Sequence, residues 1–367
     1  MTVASTGSLP MTRDTRDAAV HGRLPPALFY AVVTPLLTGV AIAGVVVGST
    51  QLDVSVVIDV LAVKLLPASW TASITVTRAD EAIVWLIRLP RVLVAACVGA
   101  GLATAGAMMQ SLFRNPLGEP SLMGVGPGAV FGAVAVFVSG WSATSLVALP
   151  IASIGCAFLA LLLVYGIATR GGATPVATLL LAGVAVGSFL TALSSLLLSI
   201  NIVTWQVTQE IVFWMMGGLD SRTWAHVWLS APFIAVGLGA ALLQSRVLDL
   251  LLLGEEQAAA LGVDVEAAKR VLVATSALLT GASVAVAGLI GFVGLVVPHA
   301  VRLMLGPAHR TLLPASAVGG AAFLMLCDLA ARTVRPPAEV RLGVVTALCG
   351  APFFLWLLVR QLREPHQ

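Results

Sequence analysis

Lysine is nearly missing from this chain: Lys64 and Lys269 are its two. A nucleotide-binding P-loop needs a lysine followed by serine or threonine, to reach the phosphates and the magnesium ion. Lys64 precedes Leu65 and Lys269 precedes Arg270, so the chain cannot bind ATP through a P-loop of its own. Charge of either sign is scarce. Charged residues make up 10% of the chain and hydrophobic ones 59%, at a mean hydropathy of +1.01. Soluble domains carry about a quarter charged residues, so a soluble globular protein is excluded. The net charge of +3 on such a chain gives no reason to expect nucleic acid as a partner.

The four cysteines, Cys97, Cys156, Cys327 and Cys349, stand singly in apolar runs without a C-x-x-C pair, and are read as small buried hydrophobes. No metal site and no cofactor is expected. His299, which follows Pro298, is read as a helix-end residue and not as a metal ligand. H-E-x-x-H and G-x-S-x-G are absent, which argues against an intramembrane hydrolase. The apolar runs are almost free of ionisable residues, which argues against a proton relay; Asp328 and Arg332 lie near a span end, spaced as a helical pair. What remains is a conduit without an engine or an ion-coupling site.

Crossing the hydrocarbon core takes about 20 apolar residues. On that measure the chain is an all-α polytopic membrane protein with ten spans in one permease domain, residues 28–360. The expected spans are Leu28–Gly48, Val92–Leu112, a glycine-rich Leu122–Val138, Ser145–Ala168, Val176–Ile200, Trp224–Leu243, two within Val271–Leu305, Leu312–Ala331 and Leu342–Val359. Roughly 35 helical residues would extend about 50 Å, so Val271–Leu305 must fold back, with Gly288, Gly291, Gly294 and Pro298 as the breakers. Leu52–Leu66 and Asn201–Arg222 are read as interfacial segments. RLPR, Arg88–Arg91, is read as the polar lead into the second span. Residues 1–27 are expected to be a disordered cytoplasmic tail before an uncleaved first span, and 361–367 a second cytoplasmic tail.

Ten spans put both termini on one side. With the termini inside, Arg13, Arg16, Arg23, Arg114, Arg170, Arg246, Lys269, Arg270, Arg302, Arg310, Arg360 and Arg363 are internal. Lys64, Arg78, Arg88, Arg91, Arg222, Arg332, Arg335 and Arg341 are then external, a bias of 12 to 8 that favours cytoplasmic termini in a multi-pass protein of the cell membrane. RVLVA recurs at Arg91–Ala95 and Arg270–Ala274, five spans apart, which suggests an inverted repeat; chance similarity between apolar runs is the alternative.

The longest charged interruption is Gln244–Arg270. At its centre Gly254 suits an N-cap, Glu255 and Glu256 suit the positive end of a helix dipole, and Gly262 suits the left-handed position that ends a helix. The segment reads either as a handle for a partner or as a solvated connector.

Four ordered motifs resemble the FecCD-type permeases, the membrane subunits of type II ABC importers for ferric siderophores, haem and vitamin B12. They are RLPR with GAMMQSLFRNPLGEPSLMGV at 106–125, GEEQAAALGV at 254–263, GLIGFVGLVVPHAVRL at 288–303 and GVVTALCGAPFFLWLL at 343–358. The resemblance covers about Leu28 to Leu358. It implies a subunit without catalytic activity that carries an iron chelate, or haem or cobalamin, with cytoplasmic ABC ATPase subunits, an external substrate-binding protein and a second permease subunit, a homodimer, in the bilayer. It implies ATPase coupling through Gly254, Glu255, Glu256, Ala258, Leu261 and Gly262, with Ala258 and Leu261 as the apolar contacts and Arg114, Asn115 and Glu119 bracing the region. It implies that Arg88, Arg91 and Arg332 are exposed outer arginines that dock the binding protein; anchoring of span ends at the headgroups is the alternative. Ser188, Thr191, Ser195 and Ser199 share a face of the fifth span that would line the pathway, or else ease helix packing. Arg341 stands where the family's acidic-proline motif usually has a further proline, Arg335 adds charge nearby, and Pro127 replaces a small polar residue; the first two suggest a more basic outer rim. The rival class is an ATP-independent secondary carrier or a membrane scaffold, which would keep no stable ATPase partner.

Overall fold

The computed structural model describes residues 24–363 apart from 49, 51, 146, 202–204 and 337; the expected tail through residue 23, with Arg13, Arg16 and Arg23, and the tail end from 364 lie outside the described residues. The described chain is helical throughout, with no strand. Among the described residues, seven helices are long and apolar enough to cross a membrane, and three shorter apolar helices bring the segments to ten. We number them α1 (Pro26–Val46), α2 (Arg78–Leu112), α3 (Val125–Val138), α4 (Ala148–Ala168), α5 (Val176–Ile200), α6 (Trp224–Leu243), α7 (Val265–Ala287), α8 (Val293–Leu305), α9 (His309–Thr333) and α10 (Leu342–Arg363).

Successive segments alternate in direction, so the connections sort into two ends. The near end holds the 113–124, 169–175, 244–264 and 306–308 connections. Leu24 N–H donates to Met304 O at 2.9 Å, which puts the first described residues at that end as well. The far end holds the other connections, with the helices Val54–Leu65 and Trp205–Met215. α2 and α7, which carry the RVLVA copies, run in opposite directions, as an inverted pair requires.

Burial ranks the helices. In α2, 83% of the most apolar window is buried and in α7 78%, against 22% in α1 and 33% in α4 and α5. α2 is therefore the axle. Two glycine crossings allow the close approach. A Cβ on Gly99 would lie 2.2 Å from Gly320 O of α9, and one on Gly106 would lie 1.8 Å from Gly294 O of α8. Without a hydrophobic drive between helices in lipid, close backbone contact of this kind holds them together.

The structure corrects two boundaries. The second span begins at Arg78 and not at Val92, so RLPR lies inside the helix. Pro90 is tolerated because the preceding turn, Ala82–Arg88, is a wider π-turn. Pro90 has no N–H to offer Trp85 O, five residues back, and Trp224 Nε1 donates to that carbonyl instead at 2.7 Å. The fold-back between α7 and α8 falls at Gly288–Phe292, where Gly288 (φ 70°) and Phe292 (φ 68°) are left-handed. Gly294 and Pro298 are within α8 and do not break it. Irregular backbone at membrane depth must be satisfied by protein. Here Gly218 N–H donates to Ala287 O at 2.9 Å.

Candidate functional sites at the two ends

At the far end, Arg88, Arg91 and Arg332 are only 4%, 8% and 7% exposed, which corrects the expectation that they are exposed. Each guanidinium is engaged within the chain. Arg88 donates to Val45 O (2.8 Å), Val46 O (2.6 Å) and Thr50, and so caps the last carbonyls of α1. Arg332 donates to Gly44 O (3.1 Å) and Val47 O (3.3 Å) and pairs with Asp328 at 3.2 Å. Arg91 donates from Nε and Nη2 to Asp328 (3.0 and 2.8 Å) and from Nη1 and Nη2 to Glu339 (3.1 and 2.8 Å). This fork-to-carboxylate geometry suits arginine and not lysine. The extension of α2 through RLPR is what puts Arg88 and Arg91 against α1 and α9.

Three acids complete this frame. Asp328 was visible as the helical partner of Arg332; its pairing with Arg91, 237 residues away, left no local signal. Asp220 and Glu339 come from loops, with Arg341 touching Asp220 and lying 4.0 Å over the Phe213 ring. Burial, and then the hydrogen bond to Asp220, push the Glu339 carboxyl up, against the pull of Arg91. Burial would raise Asp220 too, but the Glu339 hydrogen bond and the charges of Arg91, Arg341 and Arg222 hold it below the usual carboxylate range. Arg335 and Arg78 are the arginines left exposed at this end.

At the near end, the helix Glu255–Ala260 starts after Gly254 (φ 121°) and has Glu255 and Glu256 in its first turn. It closes with Val263 N–H on Ala258 O (3.0 Å) and Gly262 N–H on Ala259 O (2.9 Å), with Gly262 at φ 88°. That is the double bond of a Schellman ending. Its faces differ from expectation. Ala258 is 0% exposed and packs into the bundle, so it offers nothing to a partner; Leu261 is 61% exposed. The outward face is Glu256, Gln257, Ala259, Ala260, Leu261 and Gly262.

Both flanks of this helix are pinned. Lys269 of α7, 2% exposed, holds Glu255 at 2.7 Å and Glu266 at 3.1 Å and donates to Thr174 O at 2.9 Å. Glu266 in turn accepts from Thr174 N–H (3.1 Å) and Tyr165 O–H (3.3 Å). On the other flank Asp249 accepts from His309 N–H at 2.9 Å and meets His309 Nδ1 at 2.6 Å. Arg114 lies beside Gly254, with Nη1 3.7 Å from where a Cβ would stand. Glu119 is half-buried, and burial pushes its carboxyl up against the hydrogen bond from Ser121.

Ser188, Thr191 and Ser195 line an open groove of about 520 Å³ with Ser121, Pro127, Gly183 and Gly187; Ser199 is outside its lining. Thr191 and Ser195 donate to carbonyls of their own helix, at 2.9 and 3.0 Å. Ser194, 4% exposed, is the hydroxyl that α5 turns into the bundle.

A family model described as the FecCD transport family matches residues 36–360. The cobalamin import system permease protein of Halobacterium salinarum is 46% identical over 278 residues, 76% of this chain and 73% of that protein. The hemin transport system permease protein of Yersinia pestis is 43% identical over 286 residues, 76% of this chain and 84% of that one. Among solved structures, a metal-chelate type ABC transporter in an inward-facing conformation superimposes with a TM-score of 0.79 at 32% identity, covering 92% of this chain and all of that one.

Proposed function

The chain belongs to the FecCD transport family, and from that premise we propose that it forms the pathway of an ATP-driven importer for a large metal chelate. The relatives support cobalamin or haem as cargo, and an iron chelate is the wider class. ATP is spent by partner ATPase subunits at the near end, which is the cytoplasmic end and holds Leu24. The helix Glu255–Ala260 is their handle: it is short, pinned on both flanks, and turns Leu261 outward. That pinned yet exposed helix carries the reading, because a passive connector needs no buried lysine to fix its angle. Replacing Glu255–Leu261 with a Gly/Ser linker should abolish ATPase association and uptake while membrane insertion persists; normal uptake would refute the assignment.

At the far, external end a substrate-binding protein docks. Arg88, Arg91 and Arg332 serve this docking as positioning residues, since their donors are spent on α1 and on Asp328 and Glu339. The groove beside Ser188, Thr191 and Ser195 lies where a second copy of the chain completes the pathway, with Ser199 at its margin. Val184, 54% exposed and part of the groove's lining, gives that face an apolar side chain for a partner to cover.

A further inference from the structure

At the near end a cavity of about 340 Å³ opens between the end of α2, the 114–116 turn, Leu252 and α8. Gln110, Arg114, Asn115, His299 and Arg302 supply its polar lining, and no carboxylate lines it. Neither Arg114 nor Arg302 makes an ion pair among the described residues. Arg302 donates from Nη2 to Ser111 Oγ at 3.1 Å.

Two buried atoms on this wall lack partners among the described residues: His299 Nδ1 and Gln110 Oε1, in side chains only 8% and 2% exposed. The orientation of the Gln110 amide is settled by its other contacts. Pro298 has no N–H for Gly294 O, four residues back, and Gln110 Nε2 donates there at 3.2 Å and to Leu295 O at 3.0 Å. A flipped amide would set oxygen against those carbonyls, so Oε1 is the atom without a partner. A buried unpaired acceptor is destabilising unless a donor reaches it.

A ligand that suits this wall is an anion that also carries a donor. Carboxylates, sulfate and phosphodiesters are acceptors only near neutral pH, and a phosphomonoester, with a second pKa of about 6, is mostly so. Inorganic phosphate keeps at least one P–O–H in both of its neutral-pH forms. We propose that the cavity is an inorganic phosphate site, with Arg114 and Arg302 facing the anionic oxygens and Gln110 Oε1 accepting from the P–O–H. Arg114 also borders Gly254, so occupancy and the seat of the Glu255–Ala260 helix are linked. The site stands whatever cargo the chain carries.

Equilibrium dialysis of the full chain in detergent against radiolabelled inorganic phosphate tests it. Saturable binding of one phosphate per chain is expected, with sulfate competing at least roughly tenfold more weakly, the worth of one hydrogen bond. Arg114→Gln, on an exposed side chain, should weaken binding roughly tenfold without changing the thermal unfolding temperature. Gln110→Leu should erase the preference over sulfate. No saturable binding, or equal competition by sulfate, overturns the proposal. Equal or stronger competition by phosphatidic acid in nanodiscs overturns it as well, in favour of a lipid headgroup. Should Gln110→Leu fail to fold, the sulfate comparison and Arg114→Gln still decide.

Discussion

Gln110 Nε2 supplies Gly294 O with the hydrogen bond that Pro298, four residues further on, cannot give. The amide on α2 thus repairs the ladder of α8, where Gly106 and Gly294 already bring the two helices into backbone contact. Gln110→Leu should cost less than the roughly 1–3 kcal/mol of an unpaired buried carbonyl, because it also removes the partnerless Oε1. In a Pro298→Ala background, where the backbone regains an N–H at that position, the same change should cost less. Thermal unfolding of the two single variants and the double variant in detergent measures the difference; equal costs in both backgrounds would break the link.

Lys269 is the buried hub of the near end. Lys269→Met should leave Glu255 and Glu266 without their shared ion-pair partner, with Glu266 keeping Thr174 N–H and Tyr165 O–H, at a cost of about 1–3 kcal/mol, between the exposed and the fully buried cases. The loss should appear first as faster amide exchange over residues 254–263. Unchanged exchange there would mean that the helix is held by Ala258 alone.

At the far end, Arg91→Met leaves the buried Asp328 with Arg332 as its remaining ion-pair partner and should destabilise by up to roughly 3–5 kcal/mol. Pairing it with Asp328→Leu should recover part of that loss, because the carboxylate goes too while Arg332 keeps its hydrogen bonds to Gly44 O. If the double variant is as unstable as the sum of the singles, Arg91 and Asp328 do not act as a unit.

Docking of the binding protein should respond to different arginines. Arg335→Glu and Arg78→Glu change exposed charges and should weaken docking and alter its salt dependence. Arg88→Glu should instead lower the yield of folded protein, by setting a carboxylate against the carbonyls that end α1. Surface plasmon resonance over a salt series, with yields measured alongside, separates the two.

The loop acids give a pH signature. Asp220, held low, adds stability that is present above the ordinary aspartate range and is lost as pH falls through its depressed value. Glu339, pushed up, acts in the opposite sense: its contribution is present below the ordinary glutamate value and is lost as pH rises through the raised one. Asp220→Asn should therefore make unfolding less sensitive to acid and bring Glu339 down toward its ordinary range. A carboxyl infrared band titrating at an unchanged pH would count against the pair.

Much of this architecture could be read from local pattern. Apolar runs bounded by Gly, Pro and charge mark the ten segments, and the short helix announced itself through Gly254, its two glutamates and Gly262. What escaped was non-local. RLPR read as the polar lead into the second span, because the Trp224 indole that satisfies Trp85 O and lets the helix run through Pro90 lies 139 residues away. Once the helix was cut there, Arg88 and Arg91 appeared exposed. Ala258 and Leu261 share a face by spacing, yet the early close of the helix leaves one buried and the other out.

Coupling at the near end requires that the short helix is gripped from outside through its exposed face. Co-purification of the ATPase subunits with Leu261→Asp, a change on a side chain 61% exposed, probes that grip with the least disturbance to the bundle. Loss of the ATPase and of uptake is expected, with an unfolding temperature equal to that of the unaltered chain. Full retention of the ATPase by that folded variant would refute the grip.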